Sequence, residues 1–574
     1  MDLDLFPPPE SSPYKIIDTG PTLSELFLQL QSCSKLSLNL KTSGIIIDGI
    51  ALSSSPGTGY YLPVDQPQLD PAFDHLMSLL KRVDLTLFIH DAKSQLKSFS
   101  GVECRIIDTM VSAQLLNHEK SDLKGLAERL FHETVEKPGN GNSEFIQAAQ
   151  DADSTFKLGE RFENEIKQRG ITELFAVEME VMKVLASMEQ TGVKIDVAWL
   201  QSIQPGYEKR IKSLRDRIWE ITGEFNINSN QQLAKKLFGD MKFPVIRQTK
   251  KGNSVDAGVL EKLKKRTAHA LFDLLLEYRS EETMVSTFVR GLQKQVDQNS
   301  RTHTSFTQCV STGRLSSSGP NMQNLPDAIR RAIVPENGNV ILSLDYSQIE
   351  LRVLAYFSQD ATLIDSFLEG EDIHRRTASE IYGVKPENVT PEMRKAAKTM
   401  NFALIYGAGE WSVGASLGIP VEEARAFMKR YFDRLPGVRK FIAETKASAH
   451  KKGYVETLLK RRIPIHGINS SDYKLVGRAE RVATNAPIQG SAADIIKIAM
   501  TRVFETIEHL EVKMILQVHD ELVFEAPERD VIATAKMLKQ IMERAPIAGF
   551  SIPLVVDAEY GCNYGELTSI KTFS

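Results

Sequence analysis

The sequence predicts a multidomain α/β protein, and three observations carry that prediction: a length of 574 residues, strand-like runs alternating with helical periodicity near both ends, and a charged, helical middle. At roughly 100–200 residues per domain, the length allows about three or four structural units. Hydrophobic residues at 42% and charged residues at 25% supply several cores and exclude wholesale disorder. Cys33, Cys104, Cys309 and Cys562 lie far apart with no CxxC pair, which argues against a zinc cluster or a disulfide framework and favours a reducing, cytoplasmic setting. No run approaches about 18 apolar residues, and the acidic, proline-bearing start lacks the pattern of a signal peptide, so a soluble protein with no membrane partner is expected.

Taken in order, residues 35–40 alternate polar and apolar, 44–52 form a β-branched run and 59–63 a short aromatic one, each expected as a strand. Beyond the loop 137–143, Leu174, Val177, Val181, Val184, Leu185 and Met188 recur at helical spacing up to Thr191 and Gly192, which sets a first boundary near residue 168. Residues 196–300 are charged and mostly helical, broken by the polar stretch 248–254, and read as a projecting helical subdomain. From 301 onward strands and helices alternate, with no internal repeat or low-complexity tract. Net charge is 70 − 74 = −4. It is unevenly spread: residues 1–150 carry 12 Lys/Arg against 19 Asp/Glu, whereas 425–481 carry 15 against 5. That basic stretch can hold a phosphate backbone, although on charge alone a solvated helix face is the favoured reading.

Two acids stand out by position. The apolar run 340–344 reads as a short buried strand ending at Asp345, after which helical periodicity begins. Residues 514–518 and 522–526 read as a hairpin with His519, Asp520 and Glu521 at its tip. Two carboxylates brought together repel unless cations lie between them, and a pair of divalent ions stabilises both the attacking and the leaving oxygen in phosphoryl transfer. Mg²⁺ suits such a site because it takes few protein carboxylates and keeps places for water and phosphate. The competing reading has Asp345 capping a helix and Asp520 serving a turn.

Arg394, Lys398, Phe402 and Tyr406 recur at steps of four. Each step advances about 40° beyond a full turn, so they form one slowly winding stripe, basic at its start and aromatic at its end, that matches a nucleotide's phosphates and base. Gly407 and Gly409 end the helix. An amphipathic helix with two solvated cations and two core rings is the plainer alternative.

Three segments in this order, Asp345-Tyr-Ser-Gln-Ile-Glu-Leu-Arg352, the stripe from Arg394 to Gly407, and Val518-His-Asp-Glu521, resemble the polymerase motifs of family A DNA polymerases. Thr312 to Ser317, Pro320 to Asn324, Glu371 to His374 and Asn485 to Gly490 match as well, so the resemblance covers about residues 170–565. It implies a right-hand polymerase of palm, thumb and fingers preceded by a ribonuclease H-like 3′-5′ exonuclease-type domain: residues 1–168 for the exonuclease-like domain and 169–574 for the polymerase, with thumb about 196–300, palm about 301–365 and 484–574, and fingers about 366–483.

Carried over residue by residue, the resemblance implies that Asp345, the Tyr346 carbonyl and Asp520 hold two Mg²⁺ ions, with Mn²⁺ able to substitute. Glu521 and His519 support that site and the primer end. Arg394, Lys398 and His374 grip the triphosphate, and Phe402 packs on the sugar and base. Gln348 lies at the nucleotide, while Glu350 with Tyr406 closes the space a ribose 2′-hydroxyl needs. Arg314, Asn321, Gln323, Arg481 and Gln489 contact the DNA, chiefly through the minor groove, where contacts tolerate any sequence. The implied partners are primer-template DNA and deoxynucleoside triphosphates, the implied state a monomer associated with a bacterial nucleoid, and the implied role DNA replication and repair.

One departure from the family is expected to matter. Where proofreading relatives carry metal-binding acids, this chain reads Asn39, Lys41 and Gln95, and Gln147 stands where a tyrosine is expected four residues before Asp151. One surviving carboxylate cannot build a two-metal site, so a folded but proofreading-inactive domain is expected, with Asp91 the nearest substitute acid. A metal-dependent nuclease using Asp345, Glu350 and Asp520 would leave the stripe unexplained, and a catalytically silent DNA-binding protein would have no need of the acids and cations that the chemistry requires.

Overall fold

The computed structural model describes residues 14–571 apart from 18–19, 44–45, 65–69, 98–100, 120, 134–141, 251, 406, 545–546 and 548. The start of the expected strand at 44–52, most of the loop 137–143 and Tyr406 therefore lie outside the described residues.

A six-stranded mixed sheet forms first, its strands ordered Tyr14–Ile16, Gly59–Pro63, Ile46–Ser53, Lys35–Ser43, Thr86–Ile89 and Arg105–Asp108. Leu36 and Leu38 are fully buried, as the alternation in that strand requires. The Asn142–Arg169 helix packs across this sheet and ends at Gly170, where φ is +64°. The Thr172–Thr191 helix follows, with Leu174, Val181, Val184, Leu185 and Met188 buried. Helices from Val197–Thr222 to Leu271–Thr283 close on an apolar core of their own around Ile218, Leu260, Phe272 and Leu275.

The second large sheet is antiparallel, ordered Lys513–Val518, Glu521–Pro527, Asn339–Tyr346, Val556–Gly561 and Thr568–Ser569. Asn339–Tyr346 runs through its middle with Ile341, Leu342 and Leu344 fully buried; the Val531–Glu543 helix packs on this sheet, and the Tyr473–Ile507 helix packs on that helix and on Thr172–Thr191. The hairpin differs slightly from expectation. Val518 pairs with Glu521, so the turn holds only His519 and Asp520, and Glu521 is already a strand residue. His519 takes up the tightness of that two-residue turn at φ +51°, a conformation that costs a non-glycine residue about 1–3 kcal/mol.

A buried ionic knot ties these parts together. Arg461 reaches Glu178 and, at 2.9 Å, Asp494. Lys497 sits 2.6 Å from Glu178, and Thr457 donates to Asp494. All four charged groups are almost wholly buried. Here mutual pairing replaces the water each has lost.

Candidate active site

Strand register brings the acids together. Asp345 stands opposite Glu521 on one neighbouring strand and opposite Asp557 on the other, and Glu559 lies two residues beyond Asp557 on the same face. Asp520 joins them from the turn, because the Tyr346 amide donates to the Asp520 carbonyl at 3.1 Å. Like charges placed across strands destabilise a sheet unless something neutralises them. Crowding by protein atoms, then Glu521, Asp520, Asp557 and Glu559, push the Asp345 carboxyl up to about 7. Its side chain still meets solvent, so water and cations can reach it. Asp520 is also raised, by burial first, against the opposing pull of Arg314 and His519.

Two clefts meet at Asp345. One, of about 430 Å³, is lined by Arg314, Asp345, Tyr346, Gln348, Glu350, Phe402, His519 and Asp520, so eight residues anticipated from sequence share a single cavity. The other, about 530 Å³, is lined by Asp327, Arg330, Asp345, Glu521, Asp557, Glu559 and Tyr564 among others. Glu521 turns toward this second cleft, where it accepts from Tyr564 Oη at 2.7 Å and from Ser343. Asp557 and Glu559 went unrecognised in the sequence, although the Val-Asp-Ala-Glu-Tyr alternation of 556–560 carries the signal. Among the described residues no three or more His, Cys, Asp or Glu side chains form a ready chelate. Two carboxylates and a backbone carbonyl could hold an ion while leaving most of its sphere to water and substrate oxygens, which is the coordination Mg²⁺ prefers.

The helix Pro391–Ile405 supplies the stripe. Arg394 is held by Asp372 at 2.6 Å, Lys398 is exposed and makes no ion pair among the described residues, and Phe402 lies in the cleft wall. Just beyond the helix, Gly407 adopts φ +65°, and a Cβ there would come within 3.0 Å of Arg481 Cα, so the chain can turn against the Tyr473–Ile507 helix only without a side chain. His374 is 3% exposed. Burial first, then Arg394 and Lys398, against the opposing effect of Asp372, push its imidazole down to about 4. In the chain alone the ring is therefore neutral at neutral pH.

The Arg314 guanidinium pairs with Glu350, which is 5% exposed, and Arg314 also lines a neighbouring cavity with Gln323, Asn324 and Gln517. Gln323 donates to Gln517 Oε1 at 2.8 Å, and Asn321 accepts from Ser317 and from the Gln323 amide, both at 3.1 Å. These hold their loop against the hairpin strand. Arg481 is exposed and Gln489 half-buried on the long helix, outside the cleft that the other residues line. Gln348 stands at φ +57°, and its buried Oε1 has no hydrogen-bond partner among the described residues. A strained residue with an unused acceptor facing a cavity is the signature of a ligand position.

In the N-terminal sheet, the positions expected to have lost their acids do converge. Gln95 Nε2 lies 3.5 Å from Asn39 Oδ1, and Gln95 Oε1 accepts from the Leu40 amide at 2.9 Å. Asn39 donates to Thr155 at 3.3 Å, Thr155 to the Asp151 carbonyl, and Gln147 to the Asp151 carboxylate at 2.9 Å. Lys41 pairs with Glu144 at 2.5 Å and lies over the Phe145 ring. Asp91 accepts from Ser94 within its own turn.

At the level of class, the chain belongs to DNA polymerase family A, whose family model matches residues 197–566. Its similarities are to DNA polymerase I proteins. It is 41% identical over 466 residues to the thermostable DNA polymerase I of Thermus thermophilus, covering 79% of this chain and 54% of that protein. To DNA polymerase I of Borreliella burgdorferi it is 33% identical over 596 residues, covering 97% of this chain and 65% of the relative. The chain thus spans about half to two thirds of the length of the curated relatives it matches. Among solved structures, the POL domain of Pol1 from M. smegmatis, in complex with DNA primer-template and dNTP, superposes with a TM-score of 0.85 at 31% identity, covering 96% of this chain and 99% of that one. Among the described residues no helix is long and apolar enough to cross a membrane.

Proposed function

We propose that this chain is a template-directed DNA polymerase that adds deoxynucleoside monophosphates to a primer 3′-hydroxyl with release of pyrophosphate, serving DNA replication and repair. The observation that carries this reading is the single cleft in which Asp345, Asp520, Gln348, Glu350 and Phe402 meet. Family A polymerases are metal-dependent, generally with Mg²⁺. Here Asp345, the Tyr346 carbonyl and Asp520 would hold the ions, and the charge crowding around Asp345 fits cations. Bound there, divalent metal supplies Lewis-acid activation of the 3′-hydroxyl and neutralises the leaving pyrophosphate.

The remaining work belongs to the chain's own side chains. Lys398 and Arg394 bring positive charge to the phosphates, where preorganised charge lowers the barrier. Phe402 packs against the sugar and base. Glu350, braced by Arg314, fills the space beside the sugar's 2′ carbon and so selects deoxyribose by exclusion. The antiparallel sheet serves as palm, residues about 366–483 as fingers and about 196–300 as thumb, with Arg481 and Gln489 on the duplex side.

Primer extension with Mg²⁺ and four deoxynucleotides tests the reading. Elongation by the native chain and its loss in Asp520→Ala, with duplex binding retained, are the expected results. Shortening of the primer would indicate a nuclease, and binding without elongation a silent scaffold.

A second reading concerns residues 1–168, which we propose as an exonuclease-like domain without proofreading activity. The amides of Asn39, Gln95 and Gln147 bonded around Asp151 support it, since neutral groups satisfy one another there and leave one carboxylate for metal. A primer with a mismatched end, incubated without nucleotides, should release no mononucleotide; release would refute the reading.

A further inference from the structure

Asn401 was not singled out in the sequence, yet it is fully buried and completely bonded. Its Nδ2 lies 3.1 Å from His374 Nδ1 and donates to Thr377 Oγ1 at 3.3 Å, and its Oδ1 accepts from Tyr431 Oη at 2.9 Å. An amide nitrogen only donates, so with the carboxamide oriented by the Tyr431 hydroxyl, His374 Nδ1 must accept. The ring proton then resides on Nε2, which has no hydrogen-bond partner among the described residues. We propose that Asn401 is a positioning residue that locks His374 in the Nε2–H tautomer, so that the ring offers the nucleotide's phosphates a hydrogen-bond donor of fixed direction. The proposal rests on the reading that His374 faces the triphosphate.

The device makes chemical sense beside the stripe. Arg394 and Lys398 already supply charge, while burial first, then those two cations, hold the ring neutral against the pull of Asp372. Tyr431, from the Val421–Arg434 helix, is fully buried and stays protonated because burial pushes its hydroxyl far up. A neutral donor therefore keeps its character at and around neutral pH, and the partner that fixes its tautomer sets the orientation of the ring. Phe402, 5.9 Å away and tilted 46° to the imidazole, closes the opposite side.

Two measurements on the full chain decide it. Ring ¹⁵N shifts of histidine-labelled protein, with the His374 signals assigned by their loss in His374→Gln, should show the proton on Nε2; a proton on Nδ1 overturns the proposal. In single-nucleotide incorporation, the near-isosteric Asn401→Leu should raise KM for the deoxynucleotide on the order of tenfold with little change in kcat. Asn401→Asp, whose carboxylate draws a second proton onto the ring, should add a titration near neutral pH to the incorporation profile. Wild-type KM and pH profile in both variants would overturn the proposal, and if neither variant folds the wild-type spectrum decides alone. His374→Gln with unchanged KM would instead sink the underlying phosphate contact while leaving the tautomer result standing.

Discussion

The Tyr346 amide hydrogen-bonds to the Asp520 carbonyl at 3.1 Å, and that bond closes a gap of 174 residues between the two acids at the centre of the site. It fixes the hairpin turn beside the end of the central strand, so the separation of Asp345 and Asp520 is set by backbone, not by flexible side chains. Preorganisation of this kind spares the reaction any reorganisation of its charges.

Charge crowding at Asp345 has a measurable sign. Its carboxyl moves from the ordinary 3.8 to about 7 in the folded chain, so the folded state holds the proton more tightly than the unfolded one. That contribution is complete only below pH 3.8, is mostly kept at pH 4, and is lost as pH rises through about 7. In chelator, Asp345→Asn should therefore melt higher than wild type at pH 7.5 and about equally at pH 4. Adding Mg²⁺ should raise the wild-type melting temperature and leave the variant unmoved.

His374 carries the opposite slope. With its imidazole down from 6.5 to about 4, the unfolded state takes up the proton first, so stability present above pH 6.5 is lost as pH falls toward 4. Thermal melts of His374→Gln should show a shallower decline across that window than those of wild type.

Lys398→Ala should lower kcat/KM for nucleotide incorporation by about 10²–10³-fold, with DNA affinity nearly unchanged because the exposed ammonium is read here as a nucleotide contact. Single-turnover incorporation measured alongside duplex binding checks both halves.

Glu350→Ala should raise the ratio of ribonucleotide to deoxynucleotide incorporation roughly tenfold, whereas Glu350→Gln, which keeps the volume and loses the charge shared with Arg314, should move it little. Parity between the two variants would assign the selection to charge rather than to filled space.

Arg461→Met should cost about 3–5 kcal/mol of stability by denaturant melt, because Glu178 and Asp494 would then share only Lys497 in a dry interior.

Much of this was legible in the sequence because the informative features are local. The 340–344 and 514–526 runs announced strands and a hairpin, and the steps of four from Arg394 announced a helix. The relationships that cross the chain were not legible. Nothing in spacing says that Arg314 will pair with Glu350, or that Asn401, reading as one more polar residue in a helix, will be buried against His374. Asp557 and Glu559 showed their alternation, but their register against Asp345 depends on which strand pairs with which, and that is decided by packing of the whole sheet. Residue type likewise does not reveal that His374 is buried.

The amide cluster around Asn39 and Gln95 has a consequence for how the molecule ages and fails. Strand and helix there are joined by neutral hydrogen bonds that need no ion, so EDTA should leave the first hundred and seventy residues as sturdy as before while disarming the cleft behind Asp345. One chain would thus contain a part that a chelator leaves alone and, on the proposed reading, a part that it silences.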